Sequence, residues 1–190
     1  MKPINPKNED EVRALVSGAV QWPNPPWNLV LGSCAFYEEV CRDICDEFGL
    51  ISRIEANSYG CGYASFVDAW FYKNNAEFKA ENPHESGQAF TGLFILLCET
   101  APFYALGEGQ KSWSGTSGSS YLPTADMVDE FSTQAVMLLS IEVEQFLSER
   151  GMTRLMSSEI MEPIPAEIAV ETNLSDGELK MFDAYFHWMD

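Results

Sequence analysis

The stretch TGLFILLC, residues 91–98, constrains this chain more than any other. From Leu93 to Cys98 every side chain is apolar, so the element they form has no face left for water. Glycine precedes the run, and Glu99, Thr100 and Pro102 close it. A segment this short and this bounded predicts a strand at the centre of a sheet covered on both faces. It is far shorter than the roughly 20 residues a bilayer requires.

The rest of the pattern supplies the covering layers. Asn8, with Glu11 three residues on, caps a short helix whose apolar face is Val12, Leu15, Val16 and Ala19. The proline-rich QWPNPPWN, residues 21–28, ends it, and its two tryptophans are expected to clamp that segment to the body. Ser33 reads as the N-cap of a second helix over 34–48, with a buried stripe of Tyr37, Val40, Cys41, Ile44, Cys45 and Phe48. Gly49 suits the left-handed position after its end. LISRIEAN and GYASFVDAWFYK are rich in β-branched and aromatic residues and flank a turn, which predicts an antiparallel hairpin.

The segment ALGEGQKSWSGTSGSSYLP, residues 105–123, reads as an exposed Gly/Ser-rich loop. Thr124 then caps a long helix over about 125–149, with Met127, Phe131, Leu138, Ile141 and Leu147 on its buried side. Residues 160–171, with two prolines, suggest a β-edge. Ser175 and Glu178 form a capping box for a last helix that turns Phe182, Phe186 and Met189 inward. Helices and strands mix without regular βαβ alternation. The predicted class is therefore α+β, a single domain over 1–190 with an antiparallel sheet packed against several helices.

Motifs of catalysis are weak. GEGQKS lacks the spacing and the Gly-Lys pair of a phosphate loop, and its glycines do not join a strand directly to a helix as a dinucleotide site requires. Cys41 and Cys45 lie one turn apart, but the close cysteine pairs of a structural zinc site are absent, so no metal or other cofactor is expected. Cys34 follows a helix N-cap, where the dipole lowers a thiol pKa. LGSCAF there resembles the GSCWAF segment that carries the nucleophile of papain-like cysteine proteases, without its tryptophan. That family also needs a downstream histidine. The two histidines here are His84, in a polar loop, and His187, near the end of the chain, and neither has a fitting context. A hydrolase using Cys34 is thus an alternative rather than the main reading. No acid pair stands out as general acid and base.

Charge says more. The formal net charge is −18, from 29 acids against 11 bases. Between residues 80 and 149 the only base is Lys111, against ten acids. Such a field repels nucleic acid and anionic lipid and attracts basic proteins. MKPINPKNEDE has no apolar core of the kind a secretory leader needs, so cytoplasmic residence is expected. A nucleic-acid mimic would repeat its acids at phosphate-like spacing, whereas here they mingle with large apolar residues on most elements. In size, acidity, aromatic content and lack of motif the chain resembles the immunity proteins of interbacterial toxin systems. The resemblance implies a non-catalytic protein that binds one cognate toxin and occludes its basic active-site cleft. The expected contact residues are Glu108, Trp113, Tyr121, Asp126, Asp129 and Glu130, which would set aromatic anchors beside concentrated acid.

Overall fold

The apolar run sits where its composition requires. In the computed structural model, which describes residues 2–20, 22, 33–56, 58–60, 62–80, 87–114, 118–175 and 177–189, it fills the second half of an eleven-residue strand. In chain order the elements before it are α1 (Glu9–Val16), α2 (Ser33–Phe48), β1 (Ile51–Glu55), β2 (Tyr63–Ala64) and β3 (Phe66–Tyr72), and the strand itself is β4 (Gln88–Cys98). After it come β5 (Phe103–Trp113), β6 (Gly118–Ser120), α3 (Gln134–Glu149), β7 (Thr153–Arg154), α4 (Ser157–Ile160), α5 (Met181–Tyr185) and β8 (Trp188–Met189). β4 is central in the order β1-β3-β4-β5-β6, all antiparallel. β7 joins the outer edge of β5 in parallel, so the sheet is mixed rather than purely antiparallel. β2 and β8 form a separate two-stranded ribbon. The α+β class holds.

Strand alternation sends successive side chains to opposite faces. Val67, Ala69 and Phe71, with Leu93, Ile95 and Leu97, meet the layer of α2 and α3, where the Tyr104 hydroxyl donates to the Glu144 carbonyl of α3 at 3.3 Å. On the other face Phe66 packs edge-on to Phe186 and Phe103 to Tyr185, which brings the C-terminal segment down as the second layer. α1 closes this side through Val12 and Leu15, both buried, and its Asn8 cap accepts the Glu11 N–H at 3.3 Å as expected. Trp22 is fastened to the body, donating to the Thr100 carbonyl at 2.8 Å and meeting Phe103 edge-on; the rest of the segment, Trp27 included, lies outside the described residues.

The largest correction concerns residues 105–123. Residues 105–113 belong to β5 and residues 118–120 to β6, so the stretch is not an exposed loop, and residues 105–107 are buried. Its glycines serve close packing. A Cβ at Gly107 would come within 2.3 Å of Phe94 and of the Met127 carbonyl, and one at Gly109 within 2.4 Å of the Tyr121 ring. The indole of Trp70 lies against Gly92 and donates to the Gly109 carbonyl at 2.9 Å. Glycine composition signals a loop only when nothing needs the space its missing side chain leaves.

The following helix begins later than expected. Ala125–Met127 is a single 3₁₀ turn. Val128 then bridges Gly107, and Asp129 N–H donates to the Leu106 carbonyl, so this segment runs along the edge of β5 until α3 starts at Gln134. That edge is covered in turn by β7, by residues 128–130 and by β6, which removes an exposed strand edge. The phase of α3 also differs. Val136, Leu139, Val143 and Leu147 are buried toward the sheet and Phe146 packs on Phe48 of α2, whereas Leu138 and Ile141 are 52% and 59% exposed. Both helical phases are rich in apolar residues, and only contact with the sheet selects one. Residues 161–171 form no strand beyond the isolated bridge of Pro163 with Lys180. The last helix starts at Met181, not at Ser175. Its first turn is capped by Asp183, whose carboxylate accepts the Lys180 N–H at 2.8 Å.

Candidate interaction surface

Of the six residues expected at an interface, four are engaged in contacts within the chain and two are exposed. Glu108 points at the start of α3, where its carboxylate accepts the Thr133 N–H at 2.8 Å, the Ser132 N–H at 3.2 Å and both hydroxyls. It is the helix cap that Thr133's own side chain does not supply. Asp129, held at φ 65°, takes the Arg154 guanidinium on one oxygen and the Ser157 N–H on the other. Arg154 also reaches Glu144 of α3, so the two acids share one cation. Trp113 is half-buried, stacked on Phe90 and covered by the Arg53 guanidinium at 3.9 Å from its ring. Tyr121 turns inward. Asp126 and Glu130 alone of the six are exposed. A hydrogen bond from Thr124 lowers the pKa of the Asp126 carboxyl.

Tyr121 leads to a polar cluster that no motif announced. Its hydroxyl donates to Asp68 at 2.7 Å, and the Tyr59 hydroxyl reaches the other carboxylate oxygen at 3.3 Å. Lys111 stands 4.0 Å from the same carboxylate with its ammonium 4.6 Å from the centre of the Tyr121 ring. Asp68 is 1% exposed. Burial raises its carboxyl pKa, against the pull of Lys111 and the tyrosines, and burial lowers that of Lys111. Tyr59 and Tyr121 are both raised, first by burial and then by Asp68. In the sequence, Asp68 interrupts the apolar pattern SFVDAWF on what becomes a covered strand face. That was the available signal. The cluster ties β3 to β5, to the segment after β6 and to the 3₁₀ turn at Ser58–Gly60.

The outward face of α3 is of another kind. Met137, Leu138 and Ile141 are all more than two-fifths exposed, a ridge of large apolar side chains on the helix surface. Beside it runs a groove. Its first part is a hollow of about 500 Å³ between Ala135, Leu138 and Glu142 of α3 and Lys73, Glu77 and Phe78 of the β3–β4 connection. Its second part, about 230 Å³, lies between Glu142, Phe146 and Glu149 of α3 and Glu47 and Phe48 at the end of α2. Glu142 lines both. The α3 residues of the groove follow one another at three- and four-residue steps, so they form a single stripe along one flank of the helix. Four exposed glutamates and one lysine border an apolar floor.

Among the described residues, Cys41 and Cys98 behave as small core residues. Burial pushes the Cys41 thiol up to about 12 and Cys98 to about 11, opposite to what a nucleophile needs. The side chain of Cys34 and all of Cys61 and His84 lie outside the described residues. His187 is 8% exposed, with its pKa lowered by burial. Among the described residues no three metal-ligating side chains gather, and no helix is long and apolar enough to cross a membrane. No protein-family model, no curated protein and no solved structure matches this chain.

Proposed function

We propose that this chain is a non-catalytic, acidic binding protein that neutralises a cognate cytosolic toxin by occluding its basic active-site cleft, in the manner of immunity proteins. The observation that carries the reading is the apolar ridge of Met137, Leu138 and Ile141 on a chain of net charge −18. A partner that covers the ridge desolvates it, at about 25 cal/mol for each Å² buried. The acids around it accelerate encounter with a basic surface and reject acidic ones. Asp126 and Glu130 add exposed charge before α3, whereas Glu108, Tyr121 and Asp129 support the fold beneath it. The interface therefore moves from the segment before α3 to α3 itself.

The test is co-expression with the product of the reading frame directly upstream. That product should end in a small basic domain that arrests growth, and this chain should restore growth and elute with it as a stable complex. Ile141→Lys should weaken both effects while leaving the fold intact, since Ile141 is 59% exposed. Growth arrest that this chain does not relieve, or an upstream product without a basic domain, overturns the reading.

A further inference from the structure

The groove beside the ridge specifies more than charge. It runs from Ala135 to Glu149 along α3, which at about 1.5 Å per residue is about 21 Å, the length of an α-helix of about 14 residues. Leu138 of the ridge stands at its rim, Phe78 and Phe146 lie at its floor, Phe146 beneath the Arg150 guanidinium, and its two walls carry Glu77 and Glu47 opposite Glu142 and Glu149. An occupant must place apolar side chains at one-turn intervals on one face and positive charge on both flanks of that face. An extended strand repeats every second residue, out of step with the three- and four-residue spacing of the groove's α3 residues. A second copy of this chain would bring glutamates against glutamates and add its own net charge of −18. We infer that the groove along α3 is a docking site for a basic amphipathic α-helix of the partner protein, its apolar face on Leu138 and Phe146 and its lysines and arginines against Glu47, Glu77, Glu142 and Glu149. This rests on the reading of the chain as a binding protein, and not on what its partner does.

The probe is a synthetic peptide of about 14 residues with leucines at helical a and d spacing and lysines on both flanks. It is titrated into the full chain by calorimetry, beside a scrambled peptide of the same composition. The amphipathic peptide should bind at least about 10-fold more tightly than the scrambled one and become helical on binding. Leu138→Asp should weaken it about 10- to 30-fold. Glu142→Lys should weaken it more at low salt than at high salt, and Asp10→Lys on α1 should leave it unchanged. Amide exchange on the unaltered chain should slow along the groove-lining residues of α3 and not on α1, a reading independent of any variant. Equal binding of the scrambled peptide, an unchanged Kd for a folded Leu138→Asp variant, or protection away from α3 overturns the inference. Peptide binding in a chain that restores no growth would sink the toxin reading and leave this site standing. Growth rescue without peptide binding would do the reverse.

Discussion

Adjacent acids in this chain do unlike work, and the backbone decides which does what. Asp129 sits at φ 65° with both carboxylate oxygens engaged, by Arg154 and by the Ser157 N–H, while Glu130 is exposed. In sequence the two are one acidic patch. Their lysine variants should therefore separate. Asp129→Lys sets a cation beside Arg154 and leaves the Ser157 N–H without its acceptor, and should lower stability by about 3 kcal/mol, the scale for breaking a partly buried pair. Glu130→Lys should change the unfolding free energy by less than about 0.5 kcal/mol and slow association with a basic partner. Urea denaturation and stopped-flow binding on the two variants check this; equal stabilities would mean that the Asp129 contacts contribute nothing. Asp68 makes the same point from the core, where one carboxylate fastens two tyrosines and Lys111.

At the scale of elements, β5 and α3 depend on each other. Glu108 leaves β5 on the helix-layer face and caps α3, while Gly107 and Gly109 on the opposite face admit the rings of Phe94 and Tyr121. Glu108→Ala should cost about 1–2 kcal/mol through lost capping, with the first turn of α3 exchanging amide hydrogens faster. Gly109→Ala should cost more, about 2–3 kcal/mol, because the added methyl meets the Tyr121 ring at 2.4 Å and Tyr121 is pinned to Asp68. Thermal melts of both variants give the order. A Gly109→Ala variant as stable as the parent would mean that Tyr121 is free to move, contrary to its hydrogen bond. The same coupling explains why α3 begins at Gln134: the backbone before it is spent on pairing with β5, and the cap comes from a neighbouring strand rather than from the residue preceding the helix.

Over the whole molecule, burial of acidic hydrogens sets the response to alkali. Cys41 and Cys98 are raised from 9.0 to about 12 and about 11, and Tyr59, Tyr104, Tyr121 and Tyr185 are raised above 10.0, in every case first by burial. The unfolded chain releases these protons first, so above about pH 9 the native state holds more protons than the unfolded one. Stability then falls as pH rises, by up to about 1.4 kcal/mol per pH unit for each such group. Lys111, lowered by burial, acts in the opposite sense but is one group against these six together with Cys45 and Tyr63, which burial also raises. Urea midpoints should be level near pH 8 and decline steadily from about pH 9, and Cys41→Ala should flatten the first part of the decline. A midpoint that holds constant to about pH 11 would show that these groups are open to water.

The sequence by itself determined the elements whose signal is local. The run Leu93–Cys98 could only be a covered central strand, the hairpin partners of β1 and β3 declared themselves by composition, and Asn8 and Gly49 marked helix ends by backbone chemistry within a few residues. The charge of −18 is equally a property of sequence. Tertiary structure decided whatever depends on a neighbour distant along the chain. Glycines at 107 and 109 read as a loop until aromatic rings occupy the space above them. Apolar residues lie on every side of α3, so which of them face water was set when Val136, Leu139 and Val143 met the sheet. Glu108 and Asp129 hold α3 and the segment around Arg154 because their partners within the chain, Thr133 and Arg154, lie 25 residues away along it. Local pattern fixes what an element is, and long-range packing fixes which side of it the solvent sees.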